Sequence, residues 1–353
     1  MRVVLVGTGV YPIPPTGYGG VERTIAELER ALTRAGATVS IVHAVRRQRS
    51  LDEYYFARTL PAQLRGRSFD VVHASTPVVG NRLRGSGIPY VYTTHSRHWF
   101  RRRGVRERWG YFLERRAVAG ARAAIALTDR LRGAMAEALG PRLPADSPVI
   151  PIGVDPDRFR PDWGARTGRR VLGVGVVAPL KRWHVAAAAL AGSGAELVIA
   201  GPLPDAGYAD ALRRAGPHVT LLGEVSEPRL AELYASSDLL VHPSAVELLA
   251  GVVLQALAAG LPVIGADPVV GLLRPGRTGF GLPGPRPEAE LVEFFGTSAR
   301  TLLGDAALRR RMGEAAREDA LARFAWPAVA ARHLELYERV AAARPPAQPT
   351  TTP

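Results

Sequence analysis

The feature of this sequence that most constrains its fold is a regular alternation between short apolar runs and amphipathic segments. The run RVVLVG at 2–7 is followed by GGVERTIAELERALTRAG at 19–36, whose apolar residues recur at helical spacing. Five more β-rich runs follow in the first half, at 38–44, 70–75, 89–95, 122–128 and 148–154. Short strands separated by helices are typical of a parallel, doubly wound sheet.

The alternation restarts after DPDRFRPDWGARTG at 155–168. Five further strand-like runs lie at 169–177, 195–201, 219–225, 238–244 and 261–266. We therefore predict an α/β chain with two Rossmann-like domains, one at 1–160 and one at 161–325. A last helix at 326–343 is expected to pack on the first domain, and the Pro-rich tail at 344–353 is expected to be disordered.

Composition excludes several classes of protein. The chain has no Cys, which excludes disulfides, thiolate nucleophiles and cysteine-ligated zinc. No run of about 18 apolar residues is present, so no membrane span is expected. The start, MRVVLVGTGVYP, lacks a small-residue cleavage site; we interpret it as a buried strand and expect a cytoplasmic location.

The formal net charge of +14 indicates acidic lipids or phosphates as partners. The stretch 95–117, HSRHWFRRRGVRERWGYFLERRA, mixes arginines with aromatic residues, and 44–50 adds more charge. Two interpretations stay open: a solvated helix whose aromatics belong to the core, favoured for 106–120, and a surface for an anionic acceptor or membrane, favoured for Arg101 to Arg103. Nucleic acid is not expected, because no nucleic-acid-binding motif accompanies the charge.

Glycines follow the first strand. Gly7 and Gly9 match a dinucleotide fingerprint weakly, because Pro12 stands where the third glycine is required. YGG at 18–20 opens a helix and would let exposed amides approach a phosphate or sugar. A flexible loop with a tight turn is the alternative.

The stretch 242–265, HPSAVELLAGVVLQALAAGLPVIG, carries the densest set of candidate ligand contacts. Glu247 follows a strand, a helix begins near Gly251, and Gln255 lies on its first turns. Amides of Leu249 to Val252 at the helix start could bind a diphosphate. The carboxylate could bind a sugar hydroxyl, and the amide side chain a ribose.

These segments, taken in order, resemble family-4 retaining glycosyltransferases, which have the GT-B fold. The segment 242–265 resembles their E-x7-E region, and VGVVAPLKRWH at 174–184 their phosphate-binding loop. Three more segments resemble their glycine loop, their active-site strand end and their interdomain crossing: GYGGVERTIAELERALTRAG at 17–36, YTTH at 92–95 and VIPIGVDPDRFRP at 149–161. With FAWPAVAARHLELYERV as the closing helix, the resemblance spans about 1–343 and implies two domains facing a deep cleft, with the C-terminal helix crossing back.

The resemblance implies three catalytic residues. Lys181 would contact the donor diphosphate, Glu247 would hydrogen-bond the transferred sugar, and His95 would line the reaction centre. Lys181 is the only lysine among 46 basic residues. A compact ammonium suits a point contact with phosphate, whereas guanidinium is a wider planar fork.

The resemblance implies a further set of donor-binding residues. Gly19 and Gly20 would approach the phosphates or sugar, Gly223 and Glu224 the base, and Gln255 the ribose. The remaining members are Arg182, Leu249, Gly251 and Val252.

Three departures from the family pattern concern donor binding. Gln255 replaces the second acid, Leu248 to Ala250 replace the usual Gly-Phe-Gly, and Val176 stands where the family has an arginine. Arg182 could compensate for Val176 from another direction. An amide at 255 can still accept a ribose hydroxyl, but it lacks the charge.

The implied function is a retaining glycosyltransferase that moves a hexose-type sugar from a nucleotide-sugar donor to a hydroxyl of a glycan, lipid or small metabolite. Neither a metal nor another cofactor is expected, and Asp155 and Asp157 are expected to cap turns. Partners would include an anionic membrane, contacted peripherally at its inner face. Two alternatives stay open: a non-catalytic GT-B nucleotide-sugar-binding protein, and a nicotinamide oxidoreductase, which the broken glycine fingerprint opposes.

Overall fold

A computed structural model describes residues 1–15, 20–43, 52–95, 97–100 and 104–343. The chain divides into two compact units, one formed by residues 1–152 with the C-terminal segment from Trp326, the other by 153–325. The division lies between Ile152 and Gly153, whereas the sequence suggested 160/161. The predictions for Gly19, 44–50, Arg101 to Arg103 and the tail at 344–353 fall outside the described residues.

The first unit contains a parallel sheet of five strands in the order β2-β1-β3-β4-β5. The strands are β1 Arg2–Val6, β2 Thr38–Val42, β3 Val71–Ala74, β4 Val91–Thr93 and β5 Ala123–Ile125. The helices are α1 Gly20–Arg34, α2 Asp52–Leu64, α3 Pro77–Ser86, α4 Val105–Ala119, α5 Asp129–Leu139 and, from the end of the chain, α13 Trp326–Ala342. This arrangement confirms the predicted α/β class for the first half.

The predicted sixth strand at 148–154 is wrong. Only two isolated bridges form there, between Ala126 and Val149 and between Val154 and Ala325, and neither extends into a ladder. Pro148 and Pro151 flank Val149, and proline has no N–H to donate to a ladder. An apolar run interrupted by two prolines therefore follows the sheet edge without extending it.

Helix α1 shows why the helical periodicity predicted well. Ile25, Leu28 and Leu32 are buried on one face. They belong to the same apolar core as Leu336 and Tyr337 of α13. The C-terminal helix is thus part of the core of the first unit.

The second unit contains a parallel sheet of six strands in the order β11-β10-β9-β6-β7-β8. The strands are β6 Arg170–Val174, β7 Glu196–Ala200, β8 Val219–Gly223, β9 Leu239–His242, β10 Val263–Ala266 and β11 Gly279–Leu282. The helices are α6 Trp183–Leu190, α7 Ala206–Arg214, α8 Glu227–Ser236, α9 Gly251–Ala258, α10 Asp267–Val270, α11 Glu288–Gly304 and α12 Ala306–Arg323.

Strand β11 was missing from the prediction. Its sequence, GFGL, contains two glycines, which are depleted in strands. The close pairing requires the first of them, since a Cβ on Gly279 would lie 2.0 Å from the Val263 carbonyl oxygen. The sequence of β11 therefore has low strand propensity, and the strand forms because it pairs with β10.

Among the described residues, no helix is both long enough and apolar enough to cross a membrane.

Candidate functional site

Lys181 lies in the loop that follows β6. Trp183, fully buried at the start of α6, anchors this loop by donating its indole N–H to the Val176 carbonyl at 3.0 Å. The loop packs closely on the next strand end, because a Cβ on Gly201 would lie 2.1 Å from the Gly175 carbonyl oxygen. A Cβ on Gly175 would lie 3.5 Å from Lys181 Cε, so the lysine stem crosses the carboxyl end of β6.

Glu247 follows β9, the strand next to β6. Its Oε1 accepts a hydrogen bond from Lys181 Nζ. The two side chains are only 17% and 14% exposed. The resemblance implies that both groups bind one donor molecule, and the structure brings them into direct contact.

His242, the last residue of β9, is a member of this site that the sequence analysis missed. Its Nε2 lies 3.1 Å from Glu247 Oε1, and its side chain is buried. Within the described part of the chain its Nδ1 is also buried and has no hydrogen-bond partner. A polar residue at the end of an apolar strand, five positions before the acid, was the available signal.

The charge states of this cluster follow from its contacts. Burial raises the pKa of Glu247, but the hydrogen bond from His242 and the charge of Lys181 outweigh it and hold that pKa below its usual range. Burial lowers the pKa of His242, against the opposing effect of Glu247. A neutral His242 must donate through Nε2–H, because a carboxylate only accepts, and Nδ1 then carries a lone pair.

Arg182 connects two loops. It is the one non-glycine residue with a positive φ, 52°, in the described ranges. Its Nε donates to the Pro243 carbonyl at 2.7 Å, and its Nη2 donates to that of Ser244 at 3.0 Å. These two bonds use two of the five guanidinium N–H groups, so Nη1 and the second Nη2–H are left for the phosphate contact that would compensate for Val176.

The start of α9 differs from the prediction at one amide. The Gly251 N–H is donated to the Leu249 carbonyl at 3.1 Å, so it does not point freely toward an anion. The buried Tyr234 hydroxyl lies 3.0 Å from Gln255 Oε1 and 3.1 Å from the Val252 carbonyl. The Tyr234 hydroxyl therefore uses at most one lone pair of the Gln255 oxygen, and the NH2 group is available as a donor.

Gly223 and Glu224 lie apart from this cluster within the second sheet. Gly223 ends β8, two strands from β6, and its carbonyl accepts the Gly201 N–H at 2.8 Å. Glu224 is exposed. The structure thus brings Lys181, Arg182 and Glu247 together and leaves these two residues at the next strand ends along the sheet.

His95 follows β4 in the first unit. It is half-buried and lines a cavity of about 20 Å³ with His73, Ser75, Thr93 and His333. Burial, assisted by His333, lowers the pKa of His95 to about 4. His95 is therefore a neutral imidazole at physiological pH.

Two more buried histidines surround this cavity. His73 Nδ1 lies 2.6 Å from the Tyr337 hydroxyl, and its Nε2 lies 2.7 Å from Thr93 Oγ1. His333 donates Nδ1–H to the Val329 carbonyl at 2.8 Å. Burial lowers the pKa of both, to about 4 for His333. Strand β3 and helix α13 therefore contact each other through neutral imidazoles.

Glu114 of α4 fixes the residue that precedes His95. It is fully buried, and its Oε1 accepts hydrogen bonds from Thr94 Oγ1 and, at 2.9 Å, from the Tyr92 hydroxyl. Trp99 Nε1 in turn donates to Thr94 Oγ1 at 3.1 Å. Sequence reasoning missed Glu114, since a glutamate followed by two arginines resembles a solvated helix face.

The expectation that the aromatics of the helix at 106–120 belong to the core is wrong for Trp109 and Phe112. They are 56% and 45% exposed and stack on each other with ring centroids 5.4 Å apart. Glu114, Ala117 and Val118 form the buried face instead. The helix therefore buries a carboxylate and exposes two aromatic rings, which is the opposite of the expected arrangement.

Two smaller predictions concern Gly20 and the DPD motif. Gly20 begins α1, and a Cβ there would meet no atom within 4 Å. Asp155 Oδ1 accepts the backbone N–H groups of Asp157 at 3.0 Å and Arg158 at 3.2 Å, which confirms the turn-capping prediction for Asp155. The described residues contain no group of three His, Cys, Asp or Glu placed to hold a metal ion.

The two parallel-sheet units, with polar residues at the carboxyl ends of strands, define the GT-B fold. Sucrose-phosphate synthase from Thermosynechococcus elongatus superposes on the chain with a TM-score of 0.78 at 20% identity, covering 98% of this chain and 100% of that one. At this identity the likeness shows the fold alone.

The sequence matches two family models, Glycosyltransferase Family 4 over residues 18–158 and Glycosyl transferases group 1 over 170–294. A GDP-mannose-dependent alpha-mannosyltransferase of Mycobacterium tuberculosis is 33% identical over 302 residues, 78% of this chain and 75% of that protein. A phosphatidyl-myo-inositol mannosyltransferase of the same organism is 32% identical over 234 residues, 62% of this chain and 59% of that protein. The chain therefore belongs to glycosyltransferase family 4.

Membership in this family confirms the predicted function at the level of a sugar transfer from a nucleotide-sugar donor to an acceptor. The two relatives named above are transferases, and nothing in the comparisons favours the non-catalytic alternative or the oxidoreductase.

Proposed function

We propose that this protein transfers mannose, or a closely similar hexose, from GDP-mannose to an acceptor hydroxyl, with retention of anomeric configuration and without a metal. The cluster of Lys181, Glu247 and His242 at neighbouring strand ends carries the proposal. The identity of the donor is supported by the mannosyltransferase that matches 78% of the chain.

In the proposed reaction, the bond between the sugar C1 and the diphosphate oxygen breaks while the acceptor oxygen bonds to C1 on the same face. The acceptor proton passes to the departing diphosphate. Lys181 stabilises the charge that develops on the diphosphate, a role that elsewhere falls to a metal ion.

Glu247 would turn from Lys181 toward a hydroxyl of the bound sugar while keeping its hydrogen bond to His242. His242 is the positioning residue here, because it holds the carboxylate at the end of β9 when the lysine moves to phosphate. Gln255 would donate its NH2 group to a ribose oxygen. His95, as a neutral imidazole, would hydrogen-bond an uncharged hydroxyl near the reaction centre.

Purified protein incubated with GDP-mannose and candidate acceptors tests the proposal. We expect an α-linked product by NMR and unchanged turnover in excess EDTA. A β-linked product would contradict retention, and loss of activity in EDTA that Mg²⁺ restores would contradict metal independence. Turnover with UDP-, ADP- or dTDP-sugars but not with GDP-mannose would contradict the donor assignment.

We further propose that the enzyme works at the inner face of an anionic membrane, where a lipid-linked acceptor would lie. The net charge of +14 and the exposed stack of Trp109 on Phe112 support this proposal. Aromatic rings and arginines are the side chains that favour a membrane interface.

A further inference from the structure

A broad groove in the first unit contains four arginines. Its volume is about 640 Å³, and it lies between the ends of α3, α4 and α5. Arg84, Arg115, Arg116 and Arg142 line it, together with Phe112 and small apolar residues, and no carboxylate does. Like charges in one concave surface attract an anion.

These arginines are not neutralised by the protein. In the described ranges none of the four makes an ion pair with Asp or Glu. Arg116 instead lies over the Phe112 ring at 5.4 Å and Arg115 over the Tyr111 ring at 5.6 Å. Elsewhere in the described residues, arginines do pair with carboxylates. Arg339, for example, lies 2.9 Å from Asp146.

Helix dipoles provide a competing explanation, because α3, α4 and α5 all end at the groove. Each helix C-terminus carries about −0.5 charge, so three supply about −1.5 against four full positive charges. Arg115 does contact one of these helix ends, because its Nη2 donates a hydrogen bond to the Ala138 carbonyl at 2.8 Å. Most of the positive charge is left over.

Arg115 also provides a second, independent observation. Its Nε is buried and has no hydrogen-bond partner within the described part of the chain. A buried donor without an acceptor is costly, by about 1–3 kcal/mol. A shift of the Arg115 side chain toward the groove would let a ligand oxygen satisfy it.

The helix that leads to the groove presents an apolar stripe to solvent. Val105, Trp109 and Phe112 lie at positions i, i+4 and i+7 of α4 and are 86%, 56% and 45% exposed. This spacing aligns them on one face, and Arg116 continues the stripe into the groove. Exposed rings next to arginines match a lipid interface better than a soluble phosphate.

The groove is separate from the candidate reaction centre. His95 follows the carboxyl end of β4, whereas Arg84 and Ala121 precede β4 and β5 and so lie at the opposite edge of the sheet. A ligand in the groove therefore does not replace donor or acceptor at His95.

We propose that this groove binds the phosphate of an anionic lipid head group, with the stripe of Val105, Trp109 and Phe112 inserted in the membrane interface beside it. The inference rests on the proposed membrane location and assigns it a site. The four arginines bind the head group, and the stripe orients the first unit on the bilayer.

Sedimentation with sucrose-loaded vesicles tests this site. The full chain is mixed with phosphatidylcholine vesicles, with and without 30% phosphatidylglycerol, at fixed salt. The groove variant is R116Q/R142Q, and the matched control is R214Q/R311Q, which removes two exposed arginines from the second unit. W109S/F112S tests the stripe, and R84Q/R142Q replaces the groove variant if that protein does not fold.

We expect the groove variant to bind anionic vesicles at least about tenfold more weakly than the wild type, since each arginine near an anionic surface contributes about a factor of five. The control should lose less than about threefold, and W109S/F112S about tenfold. Equal losses in groove and control variants would overturn the site. Calorimetric binding of inorganic phosphate without vesicle binding would overturn the lipid assignment.

The outcomes separate this site from the proposals on which it depends. If the wild type binds anionic vesicles and the groove variant binds equally well, the membrane location stands and the groove is wrong. If the wild type does not bind, both are wrong, while sugar transfer to a soluble acceptor is unaffected. Failure of transfer with intact vesicle binding would contradict only the enzymatic proposal.

Discussion

The two units keep their candidate functional residues in different states. In the first, His73, His95 and His333 are neutral because burial disfavours the imidazolium. In the second, Lys181 and Glu247 are held as a charged pair in contact. Burial is the main cause in the first group, whereas at Glu247 the hydrogen bond from His242 and the neighbouring charges outweigh burial.

This difference matches two kinds of ligand chemistry. A sugar-diphosphate needs a cation for its phosphates and an acceptor for its hydroxyls, and the second unit has both at one place. A neutral imidazole can exchange single hydrogen bonds with an uncharged hydroxyl without attracting phosphate. We therefore propose charge stabilisation for the second unit and hydroxyl positioning for the first.

The largest effect is expected from removing either member of the charged pair. Lys181→Ala and Glu247→Ala should each lower kcat/KM about 10²- to 10³-fold, because a charge stabilising the transition state is lost. The loss should appear in initial-rate assays with saturating acceptor. Arg158→Ala, which breaks an exposed ion pair with Glu227 in the same unit, is the control and should change the rate little.

Either pair variant with full activity and a wild-type melting temperature would break the assignment of charge chemistry to the second unit.

The next effect concerns acid stability of the first unit. The folded pKa of about 4 for His95 and His333 lies below the ordinary value of 6.5, so the unfolded chain binds protons first. The free energy of unfolding should be highest above pH 6.5 and fall toward pH 4, by about 3 kcal/mol for each histidine over the whole interval. Glu247, with its lowered pKa, should lose its contribution only below the usual glutamate range.

Urea unfolding at pH 7.5 and pH 4.5 measures this loss, and hydrogen exchange locates it. We expect His333→Gln to weaken the pH dependence and His184→Gln, in the second unit and 38% exposed, to leave it unchanged. A pH dependence identical in wild type and His333→Gln would contradict the account of the first unit.

The fold was largely readable from sequence, because buried parallel strands and amphipathic helices leave strong periodic signals. The errors fall where local pattern and tertiary context conflict. Prolines end the run at 148–154, and Gly279 joins a strand because its neighbour requires close approach. Trp109 faces solvent while Glu114 is buried.

The candidate site was readable only in part. Lys181 and Glu247 stand out by type and by family pattern, and they do lie together. His242 could not be inferred as a partner, since its role depends on a side-chain direction that spacing does not specify. Arg182 was predicted to contact phosphate, and its bonds from an αL backbone to two carbonyls could not be inferred from spacing.

A smaller effect should come from His242. His242→Leu removes the donor to Glu247 and should lower kcat about tenfold. His242→Gln can place an amide N–H near the former Nε2 and should restore most of it. A purely structural role predicts equal losses in both variants, together with lower melting temperatures, so the ratio of their kcat values decides.

The smallest effect should come from Gln255. Gln255→Glu can still accept the Tyr234 hydroxyl but loses the NH2 donor proposed to bind the ribose, so the donor Kd should rise roughly threefold. Calorimetric titration with GDP-mannose measures it. Tyr234→Phe is the companion variant, because it frees the amide oxygen and keeps the NH2 group; a tighter donor affinity in Gln255→Glu would contradict the NH2 assignment and show that an oxygen acceptor binds the ribose.

The most direct test uses the fact that Lys181 is the only lysine in the chain. Protein made with ¹⁵N-labelled lysine should show a single side-chain ammonium resonance, which reports the group in contact with Glu247. We predict a saturable shift of that resonance on titration with GDP-mannose, with a starting position altered in Glu247→Gln. A resonance that does not move while calorimetry shows the nucleotide sugar binding would contradict the assignment of Lys181 to the donor diphosphate.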